Sequence, residues 1–547
     1  MHHEPVARHI ALALIAGAVV LLTFLVPTAL VAEATSSAAP VSLEVEELEL
    51  ANGMRFLLVE RHQSPTVACI IMVGVGSADE PRGRTGMAHF LEHLLFKGTA
   101  RLGTADHRAE RPVLAAIERT MDAIDAERER LRRTPVAEGE SEPASTSPEI
   151  ERLTAELARL ESEMRRHVIK NEIWSIYNRH GATSQNAFTN EDLTAYYVVL
   201  PANKLEVWAR VEAERMSGSV LREFYSERSV VQEERRRSRE TTPQGLISEA
   251  VAATAFVSHP YRNPVIGWMS DLDHLRRDQV LDFYRAYYQP SNMVGILVGD
   301  FDPEQAERLI GRHFGRLKSE PVVRPRRTEE PPMTGLRERM VEFDAEPEIR
   351  LAFRVPAMEH PDFPAVDVLA SLLGGGRTAR LRKRLLIDEQ AVRAVGAVIE
   401  RQLDPWLLQI WVQPLAGRTI QTVESMAWEE IDRLVRAPAT AEELAAVRTR
   451  MRADAVYRLE SNFSLGLWLG GHELLDHDWS AGYRYLKRID EVTGEDVMRV
   501  VSTYLTPRNE IRIELKRPPA ALAAGAKPAA GAKPGAGAKP TAGGKPR

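Results

Sequence analysis

Polar and apolar residues alternate over Ser42-Leu43-Glu44-Val45-Glu46, which predicts a β-strand with one buried face. Asn52-Gly53 supplies a hairpin turn between that segment and the apolar run Phe56-Leu57-Leu58-Val59. Residues 66–76 predict a further strand that closes on glycines. The period then changes. Leu114, Ile117, Met121, Ile124 and Leu131 recur at three- and four-residue spacing, and Leu153, Leu157, Leu160, Met164 and Val168 repeat the pattern. The polar, turn-prone Glu138-Gly139-Glu140-Ser141-Glu142-Pro143 lies between them. Residues 104–170 therefore read as an antiparallel helical hairpin whose charges form a solvated face.

Further along, the pattern repeats itself. Tyr287-Tyr288-Gln289-Pro290-Ser291-Asn292 and Tyr504-Leu505-Thr506-Pro507-Arg508-Asn509 share Tyr-x-x-Pro-x-Asn at an offset of 217 residues. At the same offset Val280 meets Val497, Asp273 meets Asp490 and Leu272 meets Ile489. Each copy runs from a helix through a Pro–Asn turn into a strand, Met293–Val298 in one and Ile511–Leu515 in the other. The expected fold class is α+β, with two homologous domains over residues 42–320 and 333–517. The Pro-, Arg- and Glu-rich stretch 321–332 is the expected linker.

A chain of 547 residues exceeds one ordinary core and suits two domains. Its 71 Lys and Arg against 77 Asp and Glu leave a formal net charge of -6, which argues against a dedicated nucleic-acid binder. Cys69 is the single cysteine, so an intramolecular disulfide and a Cys-rich metal knuckle are both excluded. Arg8 precedes an apolar stretch from Ile10 to Val26, Pro27 and Thr28 break it, and Ala32-Glu33-Ala34 fits a small-x-small cleavage pattern. Residues 1–34 thus read as a secretory signal, with an uncut membrane anchor through residues 10–32 as the alternative. Either reading places the body of the chain outside the cytoplasm, in or facing the periplasm. Residues 518–547 repeat Gly-Ala-Lys-Pro and read as a flexible cationic tail.

The residues that carry chemistry are His89-x-x-Glu92-His93, within Gly86 to Gly98. On a helix His89 and His93 lie one turn apart and can bind one metal ion. Glu92 projects toward the same region, where it can take a proton from water that the metal activates. This is the zincin motif in inverted order. His472-Glu473-Leu474-Leu475-Asp476 is a near miss, with Asp476 where a second histidine belongs, and reads as helix surface or core. A two-histidine site needs a third ligand. In Glu227-Arg228-Ser229-Val230-Val231-Gln232-Glu233-Glu234, Glu227 and Glu234 are seven apart on one helix face. One can ligate while the other bonds a ligand histidine.

Together these motifs resemble the insulinase-type (M16, inverzincin) metallopeptidases, which include pitrilysin and the mitochondrial processing peptidases. The resemblance runs from about residue 44 to 516. It also includes Asn186-Ala187-Phe188-Thr189 with Asp192, Thr194 and Tyr196, then His259-Pro260-Tyr261 through Gly267, and Val298-Gly299-Asp300-Phe301. It implies a zinc endopeptidase for extended peptides or unfolded segments, built from two mainly antiparallel sheets packed with helices. It implies one Zn²⁺ per chain on His89, His93 and Glu234, with Glu92 as general base. Glu227 would be the carboxylate behind a ligand histidine, and Asn186 and Ala187 would sit on the edge strand that pairs with the substrate backbone. Glu233 is the alternative ligand under a one-residue shift.

Two departures stand out. The 141 residues from His93 to Glu234 exceed the family's usual gap, and the helical hairpin accounts for the excess. Many active members also carry an Arg and a Tyr, seven apart, after a Gly-rich turn in the second domain, where they grip the substrate carbonyl. Here the turn is Gly374-Gly375-Gly376, the two positions hold Leu386 and Arg393, and Arg384 is at best a partial substitute. Family members close two such halves around a chamber. The resemblance therefore implies a homodimer, or a heterodimer with a related non-zinc subunit carrying the Arg/Tyr pair. An inactive assembly subunit is the alternative.

Overall fold

The computed structural model describes residues 43–134 and 146–518. The expected N-terminal signal or anchor, the loop at 138–143 and nearly all of the Gly-Ala-Lys-Pro tail lie outside those residues.

Two sheets organise the chain. The first contains β1 (Glu46–Glu49), β2 (Arg55–Glu60), β3 (Thr66–Val73), β4 (Thr183–Thr189), β5 (Thr194–Pro201) and β6 (Met293–Gly299), in the order β1-β2-β6-β3-β5-β4. The second contains β7 (Arg337–Glu342), β8 (Glu348–Val355), β9 (Val392–Ile399), β10 (Trp406–Pro414) and β11 (Glu510–Lys516), in the order β7-β11-β8-β10-β9. Only β2–β6 and β7–β11 are parallel; every other neighbouring pair is antiparallel. Without β1 the first order maps onto the second, strand for strand. The fold is α+β, as the patterning implies.

The 217-residue offset holds at every boundary of the repeat. Helix Arg277–Tyr287, turn Pro290–Asn292 and β6 correspond to helix Gly494–Tyr504, turn Pro507–Asn509 and β11. The shared asparagine has a structural duty. Asn292 Nδ2 donates to Tyr287 O and Asn509 Nδ2 to Tyr504 O, both at 2.8 Å, and so each satisfies a carbonyl orphaned at a helix end. The Asn52-Gly53 turn also forms, with Gly53 at φ 82°. The strand before it begins later than the alternation at 42–46 suggests. Pairing from the turn places Glu49 opposite Arg55 and Glu46 opposite Leu58, so turn geometry sets the extent of β1.

The helices of the first half include α1 (Met87–Leu94), α2 (His107–Arg133), α3 (Pro148–Met164), α4 (Glu172–Arg179), α5 (Leu205–Gly218), α6 (Phe224–Arg235) and α7 (Pro243–Ala255). α2 and α3 form the expected hairpin. Asp106 caps α2 by accepting from Arg108 N and Ala109 N, Ser147 caps α3, and Ile117, Met121 and Ile124 share a core with Leu153, Leu160 and Met164.

The halves exchange helices. α7 packs its Ile247, Ala250, Val251 and Ala255 with Ile511, Ile513 and Leu515 of β11. In return the helix Asn462–Leu475 lies on β3 and β6. Its glycines allow this approach. A Cβ on Gly466 would stand 2.7 Å from Ile70 Cδ1, and one on Gly470 2.5 Å from Ile296 Cδ1. The near-miss motif belongs to this interface: His472 Nδ1 bonds Asp476 at 2.6 Å, while Glu473 pairs with Arg55 of β2 and accepts from Trp479 N. The stretch 318–334 has no helix or strand but is pinned in place. Arg327 donates to Asp192 (2.6 Å) and Asp404 (2.8 Å) and faces Asp79 (3.3 Å), drawing carboxylates from both halves onto one guanidinium.

Candidate metal centre

α1 starts where the chain turns sharply. Gly86 has φ 86°, and a Cβ there would meet Ile266 O at 2.5 Å. Glu80 supplies the cap, accepting from Gly86 N (2.8 Å) and Ala88 N (2.7 Å). Met87, Phe90, Leu91 and Leu94 bury the apolar face, and Phe90 packs on Phe224 of α6 with ring centres 4.7 Å apart. That contact sets α6 beside α1. Val231 anchors α6 in the core, which leaves Glu227 and Glu234 facing the two histidines.

His89 Nε2 lies 3.7 Å from Glu234 Oε1, and His93 Nε2 lies 3.4 Å from Glu234 Oε2. One donor atom from each of His89, His93 and Glu234 falls within 4.8 Å of the others, the one such cluster of three found among the described residues. Glu233 points elsewhere, 57% exposed and paired with Arg236 at 3.1 Å. Glu227 stands behind His93, its Oε1 3.1 Å from Nδ1. With Nδ1–H donating to Glu227, the Nε2 lone pair faces the cluster.

Charge in the cluster suits a cation. Burial, with His93 beside it, holds His89 down at about 4, so its ring is neutral, and its Nδ1 has no hydrogen-bond partner. Burial also works against protonating His93, but Glu227 and Glu234 outweigh it and raise the ring to about 9. A metal must therefore displace that proton. The His93 hydrogen bond keeps Glu234 below its ordinary range despite partial burial. Two borderline imidazole nitrogens and a carboxylate oxygen at this separation fit Zn²⁺.

Glu92, 7% exposed, stands next to this cluster. Burial raises its carboxyl above the ordinary range, and the Thr189 hydroxyl, donating to Oε2 at 2.6 Å, opposes that rise only in part. Thr189 ends β4, the outermost strand of its sheet. Asn186 and Ala187 pair inward with Tyr197 and Tyr196 of β5, so the other edge of β4 has no strand partner among the described residues.

Three supporting residues were not assigned from the sequence. Thr189 lies in a recognised motif, but its reach to Glu92 depends on how β4 meets α1. Lys97 Nζ sits 2.6 Å from Glu227 Oε2, and its position four residues after His93 is the only sequence signal for it. Arg222, fully buried, pairs with Glu110 of the hairpin at 2.7 Å and donates to Lys97 O (2.9 Å), Thr99 O (2.9 Å) and Leu102 O (3.2 Å). It ties the base of the hairpin to the loop that holds Lys97. In the second half Leu386 is packed against the core, and Arg393 bonds Gln413 at 3.1 Å. Arg384 is held by Glu389 (3.0 Å), Met426 O (3.1 Å) and Glu429, so its guanidinium is already engaged.

A family model described as insulinase (peptidase family M16) matches residues 55–111, which contain α1, and one described as the peptidase M16 inactive domain matches residues 274–451. The chain belongs to the insulinase (M16) peptidase family. This M16 chain is 25% identical over 481 residues to the zinc protease PqqE of Helicobacter pylori, covering 86% of this chain and 92% of that protein. It is 24% identical over 464 residues to an uncharacterized zinc protease of Mycobacterium leprae, covering 84% and 89%. Among solved structures it resembles a protease from Helicobacter pylori with TM-score 0.70 and 23% identity, covering 87% of this chain and all of that one. It also resembles the periplasmic protease PqqL of Escherichia coli, with TM-score 0.64 and 19% identity, and there it covers 90% of this chain but 52% of the other. The inactive-domain match falls on residues that include none of His89, Glu92, His93 and Glu234.

Proposed function

We propose that this M16 chain is a zinc endopeptidase that cleaves extended peptides or unfolded segments, and that it forms one half of a two-chain chamber. The convergence of His89, His93 and Glu234 beside a sheet edge that has no strand partner among the described residues carries this reading. Zinc on these three residues would polarise the scissile carbonyl and lower the pKa of water to about 7. The protein's own residues do the rest. Glu92 takes the proton at its carboxylate and returns it to the leaving amine. Its burial-raised pKa suits both transfers, and Thr189 fixes the carboxylate's orientation. β4 offers its outer backbone groups to an extended peptide, which gives binding without dependence on sequence. Asn186 and Ala187 lie along that edge.

Leu386 and Arg393, where an Arg and a Tyr would grip the substrate carbonyl, mark the second half as incomplete. A related non-zinc subunit would supply that pair, whereas a second copy, which shares Leu386 and Arg393, would close the chamber without it. That the chain matches about half the length of PqqL supports the half-chamber reading. Export rests on the segment 1–34, and PqqL is itself named as periplasmic. No described helix is long and apolar enough to cross a membrane.

Cleavage of an unstructured fluorogenic peptide tests the assignment. Glu92→Gln should keep zinc and lose chelator-sensitive cleavage, and activity surviving that change would remove Glu92 from its role. Full activity of the purified chain alone as a homodimer would remove the need for a different partner.

A further inference from the structure

Away from the metal centre, the outer helices of the first half enclose a cavity of about 890 Å³, within the size range of small-ligand sites. α4, α5, the helix Arg277–Tyr287 and the segment 313–318 wall it. No residue of the metal cluster lines it. Its floor is apolar: Val211, Met216, Tyr284 and Tyr288 are all buried. Both tyrosine hydroxyls are used elsewhere, Tyr284 donating to Arg215 O at 3.3 Å and Tyr288 bonding Tyr196 at 2.8 Å. They therefore offer ring surface to the cavity.

The rim carries cations in excess. Arg101, Arg210, Arg285, Arg316 and Lys318 line the cavity against one carboxylate, Glu214. Arg101 faces Glu214 at 3.5 Å and Arg285 faces Asp282 at 3.4 Å. The nearby Glu206 is already shared between Arg312 and His313. Arg210, Arg316 and Lys318 have no carboxylate in salt-bridge range among the described residues. A cluster of unpaired cations above an apolar floor selects a ligand with the complementary halves. Two guanidinium forks and an ammonium match a dianionic head with several acceptor oxygens. A phosphate monoester has that character, with a charge of about −1.5 to −2 at neutral pH.

We propose that this cavity binds an amphiphile bearing a phosphate monoester, its head on Arg210, Arg316 and Lys318 and its apolar chain on the floor around Val211, Met216, Tyr284 and Tyr288. The head chemistry is the same whether the source is a soluble phosphate ester or a phosphatidic-acid headgroup in a membrane.

The test is calorimetric titration of the full chain with octyl phosphate below its micelle concentration, beside inorganic phosphate and octanol. Octyl phosphate should bind saturably, with inorganic phosphate and octanol each at least about tenfold weaker. The triple variant Arg210→Gln, Arg316→Gln, Lys318→Gln changes exposed side chains only and should keep the circular dichroism of the parent. It should lose at least about tenfold in octyl phosphate affinity. Co-sedimentation with phosphatidylcholine vesicles containing phosphatidic acid separates the sources. Binding that the triple variant loses assigns a lipid, and octyl phosphate binding without vesicle binding assigns a soluble ester. No saturable octyl phosphate binding, equal binding of inorganic phosphate, or an undiminished triple variant would overturn the proposal.

Discussion

Lys97→Met removes one of two partners from the carboxylate that stands behind His93. Lys97 Nζ is 2.6 Å from Glu227 Oε2, and His93 Nδ1 is 3.1 Å from Oε1, with the Glu227 side chain 10% exposed and that of Lys97 22%. Water can only partly replace the ammonium in that setting. A hydrogen bond to a charged group contributes about 1.5–3 kcal/mol. Glu227 passes this to the site by holding His93 Nδ1–H, and loss of such outer support typically costs 10–100-fold in metal affinity, or about 1.4–2.8 kcal/mol. The two ranges overlap, so the local loss is large enough to produce the whole effect on zinc. A competition titration of the full chain against a chromophoric chelator at fixed pH reads the change directly. Lys97→Arg keeps the charge and should recover most of the affinity. Parent affinity in Lys97→Met would refute the relay through Glu227, and an equal loss in Lys97→Arg would show that shape rather than charge matters.

Arg222→Met should destabilise the chain by about 3–5 kcal/mol, because it takes the guanidinium partner from a fully buried Glu110 and one donor each from the carbonyls of Lys97, Thr99 and Leu102. Urea unfolding checks this, and adding Glu110→Gln should give back part of the loss; simple additivity would contradict the pairing. The His259 ring, against the burial of Asp404 itself, and then Arg327 hold the Asp404 carboxyl at about 2, below its ordinary 3.8. A depressed carboxylate contributes stability that is full above about pH 4 and lost as pH falls through about 2. Asp404→Asn should therefore flatten the acid limb of the stability curve in that window, and parallel curves would argue against a stabilising role for the His259 and Arg327 contacts of Asp404. Glu234→Gln should abolish zinc binding while Glu233→Gln leaves it intact, and the reverse would move the ligand assignment by one residue.

Much of the architecture was legible because it follows from period and spacing. The Tyr-x-x-Pro-x-Asn repeat marks a helix end whose carbonyl needs a side-chain donor, and that local need placed both copies at the right boundary. The hairpin was legible because its apolar stripe is long and regular. The first strand was not, since its extent depends on pairing with β2 rather than on its own alternation. The helix exchange left a trace only in Gly466 and Gly470, which mean little until Ile70 and Ile296 lie against them. At the site, His89, Glu92 and His93 are fixed by one helical turn and could be read directly. Thr189, Lys97 and Arg222 act across contacts between separate elements, and no local pattern encodes such contacts. His472 and Glu473 make the converse point: a near-motif on a helix proved to serve packing between the halves.

Zinc content follows from the proposed metal centre, in which His89, His93 and Glu234 hold one ion beside a buried base. Elemental analysis of the purified full chain, its Glu92→Gln variant and its His89→Ala variant measures it. One zinc per chain is expected in the first two and none in the third. A zinc-free parent, or zinc retained after His89→Ala, would contradict it.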